Sequence, residues 1–145
     1  MRNMVVLVDA NVLLNYLLNR DNRYGAASEE VARKCAHGEC LGYIAFHTLS
    51  IIWCLLRKLG DDIRRQCLID ICAIFEIAVA SKSEIIAEIE KRSFADFEDC
   101  LQDKCAKEIG ADYIVTCNID DFAGSEVPAL TPAELIGLLA DAQTA

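Results

Sequence analysis

The stretch Val5-Val6-Leu7-Val8-Asp9-Ala10-Asn11 decides the fold, and Ala111-Asp112-Tyr113-Ile114-Val115-Thr116-Cys117-Asn118-Ile119-Asp120-Asp121-Phe122 repeats its logic far down the chain. Each is a short run of β-branched and aliphatic residues that stops at polar groups and acids. An uninterrupted apolar run of this kind reads as a strand covered on both faces, so the polar residues after it emerge at its carboxyl end. In open parallel sheets ligands bind outside that end. Asp9 and Asp121, with Asp96-Phe97-Glu98-Asp99 just ahead of the second strand, would therefore gather several carboxylates in one crevice. Such a cluster needs a cation.

After the first strand, the residues from Asn11 to Leu18 repeat with helical period, and Ser28 to Lys34 continues as a second helix. Cys40 to Phe46 reads as the second strand, followed by a nearly all-apolar helix from Thr48 to Leu59 that Gly60 ends. Its apolar girth predicts burial. Asp61 is a good N-cap for a helix through Ile74, and Phe75 to Val79 reads as the third strand. Ser81-Lys82-Ser83-Glu84 is a capping box opening a helix to about Lys91. A further helix runs from Asp96 to Glu108, with Phe97, Cys100, Leu101, Cys105 and Ile109 facing inward and Gly110 stopping it. A short strand, Val127 to Leu130, precedes a last helix announced by Thr131-Pro132-Ala133-Glu134. Strands alternating with long helices predict a three-layer α/β/α sandwich around a mainly parallel sheet.

Composition narrows the function classes. With 145 residues and 54% hydrophobic content the chain suits one domain, residues 1–145, with a core that needs neither disulfides nor a structural metal. The opening apolar run is too short for a signal segment and no stretch approaches a membrane span, so a soluble cytoplasmic protein is expected. The eight cysteines contain no C-x-x-C pair, which disfavours a zinc cluster, and most fit apolar helix faces as core filler. A net charge of −9 argues against polyanion binding by the whole surface. A nucleic-acid substrate would need local basic patches or a bound metal.

Asp96 and Asp99 share one face of a helix's first turn, and Asn118 and Asp121 lie in the turn after the fourth strand. Oxygen donors from separate elements suit Mg2+ or Mn2+, which keep waters that a substrate phosphate can replace. Ordinary structural roles compete at several positions. Asp96 is a good helix N-cap, Asn118 a turn former, Asp120 a solvated turn residue, and Glu98 and Asp103 surface charges. Asp9 is harder to explain that way, because a carboxylate ending a buried strand is costly without a partner. His37 suits a helix C-terminus, and His47 starts a buried helix within reach of the crevice.

These residues resemble the PIN-domain family, and in particular VapC-like toxins, over nearly the whole chain. Leu7-Val8-Asp9-Ala10-Asn11-Val12-Leu13-Leu14 is similar to the opening motif, with Asp9 at the first metal-binding acid and Asn11 at its supporting polar residue. Asp96-Phe97-Glu98-Asp99-Cys100-Leu101-Gln102 is similar to the third acidic motif, centred on Asp99 with Asp96 beside it. Thr116-Cys117-Asn118-Ile119-Asp120-Asp121-Phe122 is similar to the last, with Asn118 and Asp121 at its polar and acidic positions. The resemblance implies metal-dependent endoribonuclease activity, with Asp9, Asp99 and Asp121 as ligands of Mg2+ or Mn2+ and Asn11, Asp96 and Asn118 in support. It also implies an RNA substrate, an antitoxin partner and a homodimer. Arg20, Arg23, Arg57, Lys58, Arg64 and Arg65 are the candidate phosphate contacts, or else solvated helix-end cations.

One departure stands out. The family places a second acid, commonly Glu, early in the helix after strand two, where this chain offers Ser50 or Ile51, and no carboxylate lies between Glu39 and Asp61. A catalytically impaired module that binds RNA or protein is therefore the rival reading. A phosphotransfer enzyme with Asp9 as nucleophile is a third, disfavoured because Asp9-Ala10-Asn11 lacks the second Asp of a dehalogenase-like site.

Overall fold

A computed structural model describes residues 3–92 and 96–144. Five parallel strands, β1 (Val5–Val8), β2 (Leu41–Ala45), β3 (Glu76–Ala78), β4 (Tyr113–Val115) and β5 (Ala129–Leu130), form one sheet in the order β3-β2-β1-β4-β5. Helices α1 (Ala10–Leu17), α2 (Gly25–Ala36), α3 (Phe46–Leu55), α4 (Asp61–Ile74), α5 (Lys82–Glu90), α6 (Phe97–Glu108) and α7 (Pro132–Thr144) cover its faces. The expected α/β/α sandwich is present.

β1 occupies the centre because both its faces are apolar. Val6 and Val8 point into one core with Leu13, Val31, Ile52, Ile71 and Leu135, while Leu7 points into the other with Ala45, Cys105, Ile114 and Phe122. Each large side chain so buried contributes about 1.5–3 kcal/mol. Gly42 on β2 allows close packing at one edge, since a Cβ there would stand 2.7 Å from the Phe75 ring and 2.8 Å from Cys35 Sγ. Gly110 follows α6 at φ +65°, the left-handed conformation that ends a helix at little cost.

Several boundaries differ from those read in the sequence. α3 starts at Phe46 and ends at Leu55, and a turn closed by Leu59 N–H on the Leu56 carbonyl follows it. Gly60, not Asp61, caps α4; Asp61 instead accepts from Arg65 Nε one turn on at 2.7 Å. The predicted burial of α3 is corrected too. Thr48 and Ile52 are its buried residues, and Leu55 is half exposed, because α3 lies on the sheet by one side while α4 covers only part of the rest. α4 likewise exposes Ile63 and Ile69, and Cys54 and Cys72 are exposed rather than core filler.

α6 packs differently from its apolar reading. Phe97 is exposed, whereas Gln102 and Asp103 are fully buried with Cys100, Cys105 and Ala106. Asp103 is no surface charge: its carboxylate accepts from the Ser125 hydroxyl and, at 3.4 Å, from Val127 N–H and Glu126 N–H. It thereby ties down the loop that follows Asp121. Glu88 on α5 is also buried. Burial pushes its carboxyl upward, but the Cys100 thiol, Lys91 and Lys107 outweigh that and hold it below the usual range.

Candidate metal centre at the carboxyl ends of β1 and β4

From β1 the chain crosses to β2 on one side and, later, to β4 on the other, so the switch in direction falls between β1 and β4. A crevice opens there by geometry, because the connecting helices leave in opposite directions. The ladder runs one step past the strands, with Asp9 N–H donating to the Val115 carbonyl at 2.9 Å. This sets Asp9 beside Thr116.

Asp9 caps α1 and is buried within a dense set of donors. Its Oδ1 accepts from Ala10 N–H at 2.8 Å and from Gln102 Nε2 at 3.1 Å. Its Oδ2 accepts from the Thr116 hydroxyl at 2.9 Å and from Asn11 Nδ2 at 3.3 Å. Thr116, itself fully buried, also accepts from Asn118 N–H at 3.1 Å, and the Asn11 amide oxygen accepts from Cys117 N–H at 3.1 Å. The two strand ends are stitched together through side chains. Burial pushes the Asp9 carboxyl above its ordinary range, with the Asp121 charge adding to it, while Thr116, Ala10 and Gln102 pull the other way.

The six sequence-predicted residues Asp9, Asn11, Asp96, Asp99, Asn118 and Asp121 all line one crevice of about 250 Å³. Asp96 caps α6 by accepting from Glu98 N–H at 2.8 Å and Asp99 N–H at 3.2 Å, and it also lines the crevice. Asn118 precedes a short 3-10 turn, Ile119–Phe122, which contains Asp121 and is pinned by buried Phe122. Glu98, read as a surface charge, also lines the crevice. The Asp99 carboxyl is raised to about 7, first by burial and then by the charges of Asp96, Asp9, Asp121 and Glu98.

On the α3 side the wall is apolar. Ile51 and Leu55 face the crevice, and Ser50 is exposed and outside its lining. Of the two residues offered where an acid is expected, Ile51 is the one that lines the crevice. His47 is outside the crevice lining; it lines an apolar hollow with Phe46, Val79, Ile85 and Leu101, and its ring bonds to the Glu98 backbone. Burial lowers its basicity.

Several acids elsewhere have basic partners, as in Glu88 with Lys91, Asp103 with Lys107 and Glu108 with Lys104. Among the described residues no Lys or Arg pairs with Asp9, Asp96, Glu98, Asp99 or Asp121. Nor, among the described residues, do three acidic, His or Cys side chains close into an ion cage by themselves. That combination fits a hydrated hard cation, which is bound through one or two carboxylates and retained waters rather than by a full protein shell. The crevice lining has none of the His and Cys donors that close a structural zinc site.

Beside the crevice, across the shared Leu55, lies a hollow of about 330 Å³ bearing Arg20, Arg57 and Lys58. The other candidate cations are engaged elsewhere. Arg64 stacks on Trp53 at 3.7 Å from the ring centroid, Arg65 pairs with Asp61, and Arg23 lies over Tyr24. The loop that carries Arg20 is held by buried Asn15, whose Oδ1 accepts from Asn22 Nδ2 at 2.9 Å.

A PIN domain family model matches residues 5–120, and the chain belongs to the PIN-domain family. Three solved structures share the fold. VapBC2 from Rickettsia felis, bound to a DNA fragment from its promoter, superposes with a TM-score of 0.65 at 17% identity, covering 88% of this chain and 98% of that one. PAE2754 from Pyrobaculum aerophilum gives 0.61 at 19% identity, covering 95% and 96%. Mycobacterium tuberculosis VapC20, a toxin that cleaves the sarcin–ricin loop, gives 0.58 at 15% identity, covering 75% and 86%. Among curated proteins none matches in sequence.

Gln102, Thr116, Thr48 and Glu98 were not singled out as site residues in the sequence. Thr116 carried a usable signal, being the first polar residue after β4. Gln102 did not: nothing in sequence distinguishes a buried helix glutamine from a solvated one.

Proposed function

We propose that this chain is a divalent-metal-dependent endoribonuclease that hydrolyses RNA phosphodiester bonds, with residues 1–145 acting as one PIN-like domain. The observation that carries the reading is the gathering of carboxylates without basic partners at the β1/β4 switch point. Asp9, Asp99 and Asp121 would hold Mg2+ or Mn2+, and Asn11, Asp96 and Asn118 would support them. When bound, such a cation supplies Lewis-acid stabilisation of a phosphodiester's developing charge and acidifies a water for attack.

The protein's own groups do the rest. Thr116, Gln102 and Asn11 fix the Asp9 carboxylate in one orientation, so it need not reorganise when a ligand arrives. Arg20, Arg57 and Lys58 give an otherwise acidic molecule a local track for the RNA backbone, adjoining the crevice. Likeness in fold to toxin structures supports a toxin–antitoxin role in the cytoplasm, with a cationic antitoxin segment suited to the −9 charge. The apolar flank of α3 and α4, with Ile63 and Ile69 exposed, suits a second copy of the chain.

Ile51 in the crevice wall favours a second reading, a PIN module that binds RNA without cutting it. Incubating a mixed structured and single-stranded RNA pool with Mn2+, Mg2+ or EDTA separates the two. Cleavage that needs metal and is lost in Asp9→Asn and Asp99→Asn supports the nuclease; RNA retention without cleavage above those variants' background supports the binding module.

A further inference from the structure

We propose that Cys35 and Cys40 are a redox pair, which a hydroperoxide closes into a disulfide that fastens the end of α2 to the amino end of β2 against unfolding, and which a thiol reductant reopens. Both thiols are buried, and their Sγ atoms stand 3.3 Å apart. The turn between them holds that approach. Gly38 lies at φ +75°, Gly38 N–H donates to the Cys35 carbonyl at 3.1 Å and Glu39 N–H to the Lys34 carbonyl at 2.9 Å, the paired bonds of a glycine-terminated helix end. Lys34 Nζ then meets Glu39 Oε1 at 3.2 Å, and Gln143 of α7 donates to the same oxygen at 2.6 Å. With residues 34 and 39 clamped, the next pair along, 35 and 40, is set side by side. From the sheet, Gly42 leaves the room that Cys35 Sγ fills, since a Cβ there would stand 2.8 Å from it.

Other cysteines meet different groups: Cys100 donates to Glu88, and Cys117 accepts from Asn15. In the 35–40 pair each sulfur is the other's partner. The Cys35 thiol draws Cys40 below the ordinary thiol range against the opposing effect of burial, so Cys40 is the attacking thiolate. Its sulfur takes one peroxide oxygen, the O–O bond breaks, and the other oxygen leaves as hydroxide, which accepts the proton Cys40 released. Cys35 sulfur then attacks the resulting sulfenic acid. The S–S bond forms, the S–O bond breaks, and the hydroxyl leaves with the Cys35 proton as water. Two thiols are oxidised by two electrons and the peroxide is reduced to two waters. The joining turn is exposed at His37 and Gly38, so a small oxidant needs only a local opening there. The pair sits at the amino end of the sheet, opposite the crevice, and the bridge acts on unfolding rather than on the metal centre.

Peptide mapping after treatment with hydrogen peroxide tests this on the unmodified protein and on Cys54→Ser/Cys72→Ser, which removes the two exposed thiols. Remaining thiols are blocked with N-ethylmaleimide in denaturant, and cleavage between Glu39 and Cys40 leaves the two halves joined only through sulfur. The expected product is a linked pair of peptides that separates on dithiothreitol, with Tm higher by about 5–10 °C in the oxidised form and restored by the reductant. Cys40→Ser and Cys40→Ala should show neither the link nor the rise. Maleimide on both Cys35 and Cys40, a link from either to another cysteine, or Cys40 carried on to sulfinic acid beside a free Cys35 overturns the pairing. A 35–40 link with unchanged Tm overturns the claim that it fastens helix to sheet.

Discussion

Gln102 and Asp9 lie 93 positions apart, yet Gln102 Nε2 donates to Asp9 Oδ1 at 3.1 Å with both side chains buried. The same amide reaches the Thr48 hydroxyl at 3.3 Å, so α6, β1 and α3 are joined beneath the crevice floor. Replacing Gln102 with Leu should lower Mn2+ affinity by about tenfold, the usual cost of losing a group that orients a ligand. In a double-mutant cycle with Asp9→Asn, the coupling measured by urea unfolding should be about 1–3 kcal/mol. Additive effects would mean that the hydrogen bond does not hold Asp9.

Asp103 should matter for stability rather than metal binding. Its carboxylate serves Ser125 and Val127 from a fully buried position. Asp103→Ala strands those donors and is expected to cost about 2–3 kcal/mol, read as a lower urea midpoint with an unchanged slope.

Between about pH 5 and 7 the metal-free protein should lose stability as pH rises. Asp99 is raised from its ordinary 3.8 to about 7, so between those values the native state keeps a proton that the unfolded chain has released. Its contribution is most favourable below the unfolded value and declines up to about 7. Asp9 and Glu98 shift in the same direction. Mn2+ displaces that proton, so the Mn2+-induced rise in Tm should grow across the window. A rise equal at both ends would contradict the assignment.

The hollow beside the crevice predicts a salt-dependent effect. Arg57→Glu and Lys58→Glu should each weaken RNA binding across sequences and reduce the salt dependence of log K by about one unit or less. Arg65→Glu, whose parent already pairs with Asp61, should change RNA binding far less. Equal losses in all three would point to general surface charge.

How much was legible depended on whether a residue's role was set locally. The strands announced themselves because uninterrupted runs such as Val5–Val8 have no stable place but a covered sheet, and Asp9 followed from where that run stopped. Thr131 and Glu134 cap α7 reciprocally as their spacing implied, at 3.2 and 3.0 Å. α3 and α6 misled for the same physical reason: composition gives the apolar content of a helix but not which side meets the sheet. α3 consequently exposes Leu55, and α6 buries Gln102 and Asp103 while exposing Phe97. Which of Ser50 and Ile51 meets the crevice was likewise unreadable, because it depends on the rotation of α3, which turns Ile51 to it.

Anomalous diffraction from crystals grown with Mn2+ decides whether the carboxylates at the β1/β4 switch point hold a divalent cation. The predicted result is a peak in the crevice bounded by Asp9, Asp99 and Asp121, lost in Asp9→Asn crystals. A peak elsewhere, or none in the crevice of the unmodified protein, would contradict it.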